Sequence, residues 1–265
     1  VLGKIFLTLK IPVSMYTKTR VAYGRHRSKF YDHYVPEALN SSNSYIILIH
    51  GGYFRPEHGL ELMDPMACAY ADLGYEVFNL EYPRVGEGFT SGIMLTTVFK
   101  AFDYICGEAS AKKCVVIGHS AGGYYALMLA LRDQVTRFSG GGAGSRVPDL
   151  VIAQAPLTDL WDGQERGLSD DGVAIKNFVD AYTNATANKQ YYDLLSPSHY
   201  EVPIGRKIRI VHGYADDVVP LAQSEAFAEH SFMSDEPLHR VECGHFELID
   251  PACKELWDLQ LSLLA

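Results

Sequence analysis

Residues 114–130 read Cys114-Val115-Val116-Ile117-Gly118-His119-Ser120-Ala121-Gly122-Gly123-Tyr124-Tyr125-Ala126-Leu127-Met128-Leu129-Ala130. Cys114 to Ile117 is a short, wholly apolar run with β-branched residues, the pattern of a strand buried on both faces. From Gly122 to about Asp133 the apolar residues take helical spacing instead. Between the two lies G-x-S-x-G, placed where a strand turns sharply into a helix. In that setting the serine occupies a strained turn that lifts its hydroxyl out of the sheet, and the flanking glycines let strand and helix approach closely.

The same alternation continues on either side. Tyr45–Ile49, Glu76–Leu80, Leu150–Ala153 and Ile208–Val211 read as further buried strands. Glu61–Leu73, Ser91–Cys106, Leu221–Met233 and Pro251–Leu264 carry helical spacing. Strand followed by helix, repeated, predicts an α/β fold with a mostly parallel sheet and helices on both faces. Ahead of it, Lys29–Val35 alternates like an antiparallel strand, so an early hairpin is expected to edge the sheet. The stretch from about 157 to 200 is longer than a crossover helix needs and mixes Trp161, Phe178, Tyr182, Tyr191 and Tyr192 with polar residues. It reads as a helical insertion, a cap over one end of the sheet. With no linker rich in Pro, Gly or Ser between two halves, residues 1–265 are expected to form one domain carrying that cap.

Composition narrows the function classes. Of the 265 residues, 48% are hydrophobic and 21% charged, which excludes disordered, collagen-like and coiled-coil chains. The formal net charge is −9 and no basic run follows a phosphate backbone, so nucleic acid is not expected as a partner. No apolar stretch reaches the ~20 residues of a membrane span. The five cysteines are odd in number and form no C-x-x-C pair, which points to reduced thiols in a cytoplasmic setting. No histidine spacing matches H-E-x-x-H and no EF-hand loop is present, so neither metal nor cofactor is expected. The Gly-rich tract Ser139–Ser145 lacks the G-K-[ST] ending of a phosphate loop and reads as a surface connection.

A serine hydroxyl is a poor nucleophile at neutral pH, so Ser120 needs an imidazole base and a carboxylate to orient it. An acidic pair, Asp216-Asp217, follows the strand that ends near Val211, where open α/β sheets place their active-site groups. A further short strand, Leu238–Val241, runs into Cys243-Gly244-His245. The order Ser, Asp, His is the one that accompanies G-x-S-x-G. An oxyanion hole would take one N–H from Ala121, after the nucleophile. The other would come from the loop after Tyr45–Ile49, which reads His50-Gly51-Gly52-Tyr53-Phe54 and makes Gly51, Gly52 and Tyr53 the candidates.

Taken together, these residues resemble the α/β-hydrolase superfamily over nearly the whole chain. Its pattern His-Gly-x-x-Asp-x-x-Val-Pro, here His212 to Pro220, implies Asp216 rather than Asp217 as the acid, with His245 as base. The His-Gly-Gly element resembles the hormone-sensitive-lipase-like and kynurenine-formamidase-like branches. Glu81-Tyr82-Pro83-Arg84-Val85-Gly86-Glu87-Gly88 is similar to the formamidase Y-R-x-V-G-x-G segment. Tyr53 replaces the third glycine of the lipase-like H-G-G-G, and Phe54 replaces the formamidase tryptophan. The resemblance implies a serine hydrolase acting on a small-molecule ester or amide. An arylformamidase, a small peptidase and a non-catalytic ligand receptor stand as alternatives, and a homo-oligomer is compatible with any of them. A serine at position 120 excludes the dehalogenase and dienelactone-hydrolase nucleophiles, which would be Asp and Cys. Phe54, Phe89, Trp161 and His119, the variable position of the turn, are the candidates for substrate contact, and an apolar wall of that kind favours a compact substrate.

Overall fold

A computed structural model describes residues 15–181, 188–230 and 238–264. Its centre is an eight-stranded sheet with strands β1 (Tyr16–Ala22), β2 (Phe30–Pro36), β3 (Ser44–Ile49), β4 (Glu76–Leu80), β5 (Lys113–His119), β6 (Leu150–Gln154), β7 (Ile208–Gly213) and β8 (Leu238–Val241). The spatial order is β1-β2-β4-β3-β5-β6-β7-β8. β2 runs antiparallel to both β1 and β4, and every pairing from β4 to β8 is parallel. The edge hairpin and parallel sheet expected from the sequence are therefore present.

Helices α1 (Asp64–Asp72), α2 (Ser91–Glu108), α3 (Ala121–Ala130), α4 (Leu160–Glu165), α5 (Val173–Asp180), α6 (Lys189–Leu195), α7 (Leu221–His230) and α8 (Lys254–Leu263) flank the sheet. The predicted helix from Glu61 begins instead as a 3-10 turn, Leu60–Met63, and becomes α-helical only at Asp64. Pro65 lies within the first helical turn, where its missing N–H costs nothing. The helix at the C-terminal end begins at Lys254, three residues after Pro251. The predicted Leu221–Met233 helix is described to His230, and its last residues lie outside the described ones.

Two apolar layers cover the faces of the sheet. Val98, Phe99 and Phe102 of α2, the body of α3 and Phe227 of α7 pack on one face. Met66, Ala67 and Tyr70 of α1 pack on the other with Ile46, Leu48 and Ile117, and Trp257 of α8 lies 4.6 Å from the Tyr70 ring. All ten residues of α3 are buried, because this helix sits directly behind β5 and β6. Burial on both sides explains the unbroken apolar runs of β3 and β5.

Between β6 and β7 the chain passes through α4, α5 and α6, the segment read as an insertion. It is joined to the loop after β3 by the Phe178 ring of α5, stacked on Phe54 at 3.8 Å. It is joined to α7 by Gln223, which accepts from the N–H groups of Thr158 and Asp159.

Candidate active site

The turn between β5 and α3 has the strain its sequence implies. Ser120 sits at φ 56°, ψ −120°, outside the ordinary right-handed regions and costly for a residue with a Cβ. The glycines around it are demanded by close approach. A Cβ on Gly118 would collide with the Gly122 carbonyl, and one on Gly122 would meet the Ile49 carbonyl of β3. The Ser120 N–H is held by the Gln154 carbonyl at 2.8 Å. The first turn of α3 thus begins at Ala121 with its N–H groups beside Ser120.

The loop after β3 lies against that turn. A Cβ on Gly51 would stand 2.8 Å from the Ser120 Cβ. Gly52, Tyr53 and Phe54 follow with φ of 112°, 47° and 61°, three consecutive left-handed residues. Neither the Gly52 nor the Tyr53 N–H donates to another group among the described residues. The Tyr53 hydroxyl donates to the Val218 carbonyl at 2.7 Å and so ties this loop to the one after β7.

Backbone bonds beyond the strand ends bring the remaining two groups together. Tyr214 N–H donates to the Val241 carbonyl and Ala215 N–H to the Cys243 carbonyl, extending the β7–β8 pairing past both strands. His245 Nδ1 then donates to Asp216 Oδ2 at 2.7 Å. Asp216 also accepts from the N–H groups of Val218 and Val219 on Oδ1, at 2.9 and 2.8 Å. His212 Nε2 is 3.4 Å from Oδ2. Burial alone would raise the Asp216 pKa, but its hydrogen bonds to His212, His245 and the Val219 N–H hold it well below the usual carboxylate range. Asp216 is thus an ionised acceptor with its lone pairs directed at His245. The Ser120 hydroxyl makes no hydrogen bond among the described residues.

His119 is not exposed to a ligand. It is 1% accessible, its Nε2 bonds the His245 carbonyl at 3.0 Å, and its ring lies 4.5 Å from that of His245. Burial, aided by the nearby His245, lowers its pKa to about 3, which keeps the ring neutral. Nε2 is therefore the protonated nitrogen, donating to the carbonyl and fixing the backbone from which the His245 ring projects.

The aromatic candidates divide. Phe54 is 1% accessible and packs edge-on to Tyr124 and Tyr125 as well as against Phe178, so its ring belongs to the core. Phe89 meets His26 edge-on at 4.7 Å, beside the edge hairpin. Trp161 meets Tyr192 edge-on at 5.1 Å within the insertion. Aromatic content in the sequence carries no information on which way a ring faces. Phe246, 58% accessible, has its ring 5.1 Å from that of His245 and was not among the candidates for substrate contact. Beside Tyr53, a cavity of about 270 Å³ is lined by Arg55, Pro56, Glu57, Val85, Asp170, Val173, Ala174 and Asn177, with none of Ser120, Asp216 or His245 in its wall. Arg55 closes its rim by bonding Ser169 and Asp170 of the insertion. Burial, with the nearby Glu247 carboxylate, pushes the Cys243 thiol up to about 11, unlike an activated nucleophile. Among the described residues, no group of three or more His, Cys, Asp or Glu side chains assembles as metal ligands.

With this geometry in view, comparison with known families finds one match: the model described as BD-FAE covers residues 31–230, well over half of the chain. The chain belongs to the BD-FAE family. The matched region spans β2 to α7 and includes Ser120 and Asp216, while His245 lies beyond it. No curated protein matches the sequence. Among solved structures, this BD-FAE chain superimposes on a truncated carbohydrate esterase from gut microbiota with a TM-score of 0.75 at 18% identity, covering 95% of this chain and 98% of that one. Esterase B from Lactobacillus rhamnosis gives 0.73 at 16% identity, covering 94% and 83%. A thermophilic esterase from the planctomycete Thermogutta terrifontis gives 0.69 at 17% identity, covering 93% and 91%. The fold is that of the α/β-hydrolases. No helix among the described residues is long and apolar enough to cross a membrane.

Proposed function

We propose that this BD-FAE-family chain is a serine hydrolase that cleaves a small carboxylic ester through an acyl-serine intermediate. The observation that carries the reading is the His245–Asp216 hydrogen bond of 2.7 Å, held at the same end of the sheet as the left-handed Ser120. In the first half-reaction the Ser120 hydroxyl attacks the ester carbonyl carbon as His245 Nε2 takes its proton. Asp216 accepts from Nδ1–H and stabilises the imidazolium that forms. The tetrahedral oxyanion is held by the Ala121 N–H and by that of Gly52 or Tyr53. His245 then protonates the departing alkoxide. Water repeats the sequence on the acyl-serine, releasing the acid and restoring Ser120.

A compact acyl or aryl group is the expected substrate; the 270 Å³ cavity beside Tyr53 adjoins the oxyanion loop but is lined by neither Ser120 nor His245. The insertion at about 157–200 acts as a cap over this end of one hydrolase domain. Structural neighbours whose names include esterase support ester chemistry. An aryl formamide is the second substrate to try, because His50-Gly51-Gly52 and Glu81–Gly88 resemble the formamidase-like branch.

Turnover of p-nitrophenyl esters and an aryl formamide tests the proposal. Acetyl to butyryl esters should give a higher kcat/KM than chains of ten or more carbons, and Ser120→Ala should abolish turnover. Rates that rose steadily with chain length would overturn the small-substrate assignment. Absence of any turnover by the unaltered protein would favour a ligand receptor built on this fold.

A further inference from the structure

The segment Glu81–Gly88 takes no part in the chemistry above, yet the structure places its first residue behind the oxyanion loop. β3 and β4 are neighbours in parallel register, Ile49 beside Leu80, so His50 and Glu81 leave the sheet side by side. Both are buried. His50 Nε2 lies 3.1 Å from Glu81 Oε1, and His50 Nδ1 lies 2.7 Å from the Gly51 carbonyl oxygen. A carbonyl oxygen only accepts, and so does an ionised carboxylate. Burial alone would raise the Glu81 pKa, but bonds from His50, the nearby Arg84 and the Leu60 N–H bring it below the usual value. With an obligate acceptor at each end, both ring nitrogens must carry hydrogen. His212 differs, since the Ser224 hydroxyl can donate to its Nδ1 while Nε2 donates to the Val219 carbonyl. The remaining groups around His50 are the Tyr82 ring, stacked at 4.3 Å with its hydroxyl donating to the His50 carbonyl, and Arg84, 3.3 Å from Glu81 Oε1.

The Gly51 carbonyl and the Gly52 N–H belong to one planar trans peptide and point to opposite sides of it. Gripping the carbonyl therefore fixes where the N–H points. Between two glycines that peptide would otherwise rotate at little cost. We propose that His50, doubly protonated and braced by Glu81, locks the Gly51–Gly52 peptide in the orientation that offers the Gly52 N–H to the oxyanion. This rests on the serine-hydrolase reading. His50 is a positioning residue, acting through a backbone it holds and touching no reacting atom.

Two measurements test it. In the Ser120→Ala protein, where no catalysis is needed, ¹⁵N-histidine NMR assigned against His50→Asn should show hydrogen on both His50 ring nitrogens. A bare nitrogen would overturn the inference while leaving the hydrolase reading intact. In the active protein, His50→Phe keeps a ring against Tyr82 but donates nothing. Its kcat should fall about 10²–10³-fold, the loss typical of one oxyanion donor, with KM within a few-fold. His50→Asn, whose amide nitrogen stands where Nδ1 was, should stay within about tenfold of the unaltered kcat. Unchanged kcat in His50→Phe, or a loss confined to KM, would overturn the proposal. The NMR measurement keeps position 50 intact in the protein under study, so it decides the matter if His50→Phe fails to fold.

Discussion

His119 should make the protein acid-sensitive well above the pH at which its carboxylates titrate. The ring is fully buried, and desolvation together with the neighbouring His245 takes its pKa from 6.5 to about 3. The folded state therefore refuses a proton that the unfolded chain accepts. This contribution to stability is complete above the unfolded value of 6.5 and is lost as pH falls toward the folded value of about 3. Between about pH 7 and pH 5 the unfolded chain gains about three-quarters of a proton at this site while the folded protein gains almost none. The linkage integral over that interval is about 2 kcal/mol of lost stability from this one residue. His119→Gln removes the titration and leaves an amide N–H able to reach the His245 carbonyl. Urea unfolding of both proteins at the two pH values isolates the effect, because every other titrating group is common to the pair. The unaltered protein should lose about 2 kcal/mol more than the variant on acidification. Equal losses in the two proteins would refute the argument that His119 is held neutral.

Three further outcomes follow from the geometry. Asp216→Asn should lower kcat by roughly 10⁴, because an amide favours the wrong His245 tautomer, whereas Asp217→Asn should change it little; steady-state kinetics on a p-nitrophenyl ester distinguish them. Phe178→Ala removes a buried ring from the stack on Phe54 and should cost about 3–5 kcal/mol in chemical denaturation. Gly122→Ala would drive a Cβ into the Ile49 and His50 carbonyls, and a loss of about 3 kcal/mol or more in thermal or urea unfolding is expected.

The parallel strands were legible because burial on both faces leaves an unbroken apolar run, as in Tyr45–Ile49, where every residue is buried. β1 left no comparable mark. Tyr16–Ala22 is an edge strand whose residues are exposed or half-buried, so its sequence shows no apolar face from which bounds could be drawn. Ser120, Asp216 and His245 were legible because each follows a strand within a short pattern of its own, and the structure brings all three to the C-terminal ends of those strands. The His50–Glu81 pair was not. Thirty-one residues separate the two, and only the adjacency of β3 and β4 joins them. The burial of Phe54 was not legible for a related reason. Phe54 and Phe178 are adjacent through tertiary packing, and their partner is each other rather than open space.

Reaction with a fluorophosphonate probe, followed by intact mass and peptide mapping, tests the central claim most directly. Only a hydroxyl with an adjacent base and oxyanion donors reacts readily with such a reagent. One adduct per chain is expected, located on Ser120, and none in Ser120→Ala. An adduct that persisted in Ser120→Ala, or that mapped to any other residue in the unaltered protein, would contradict it.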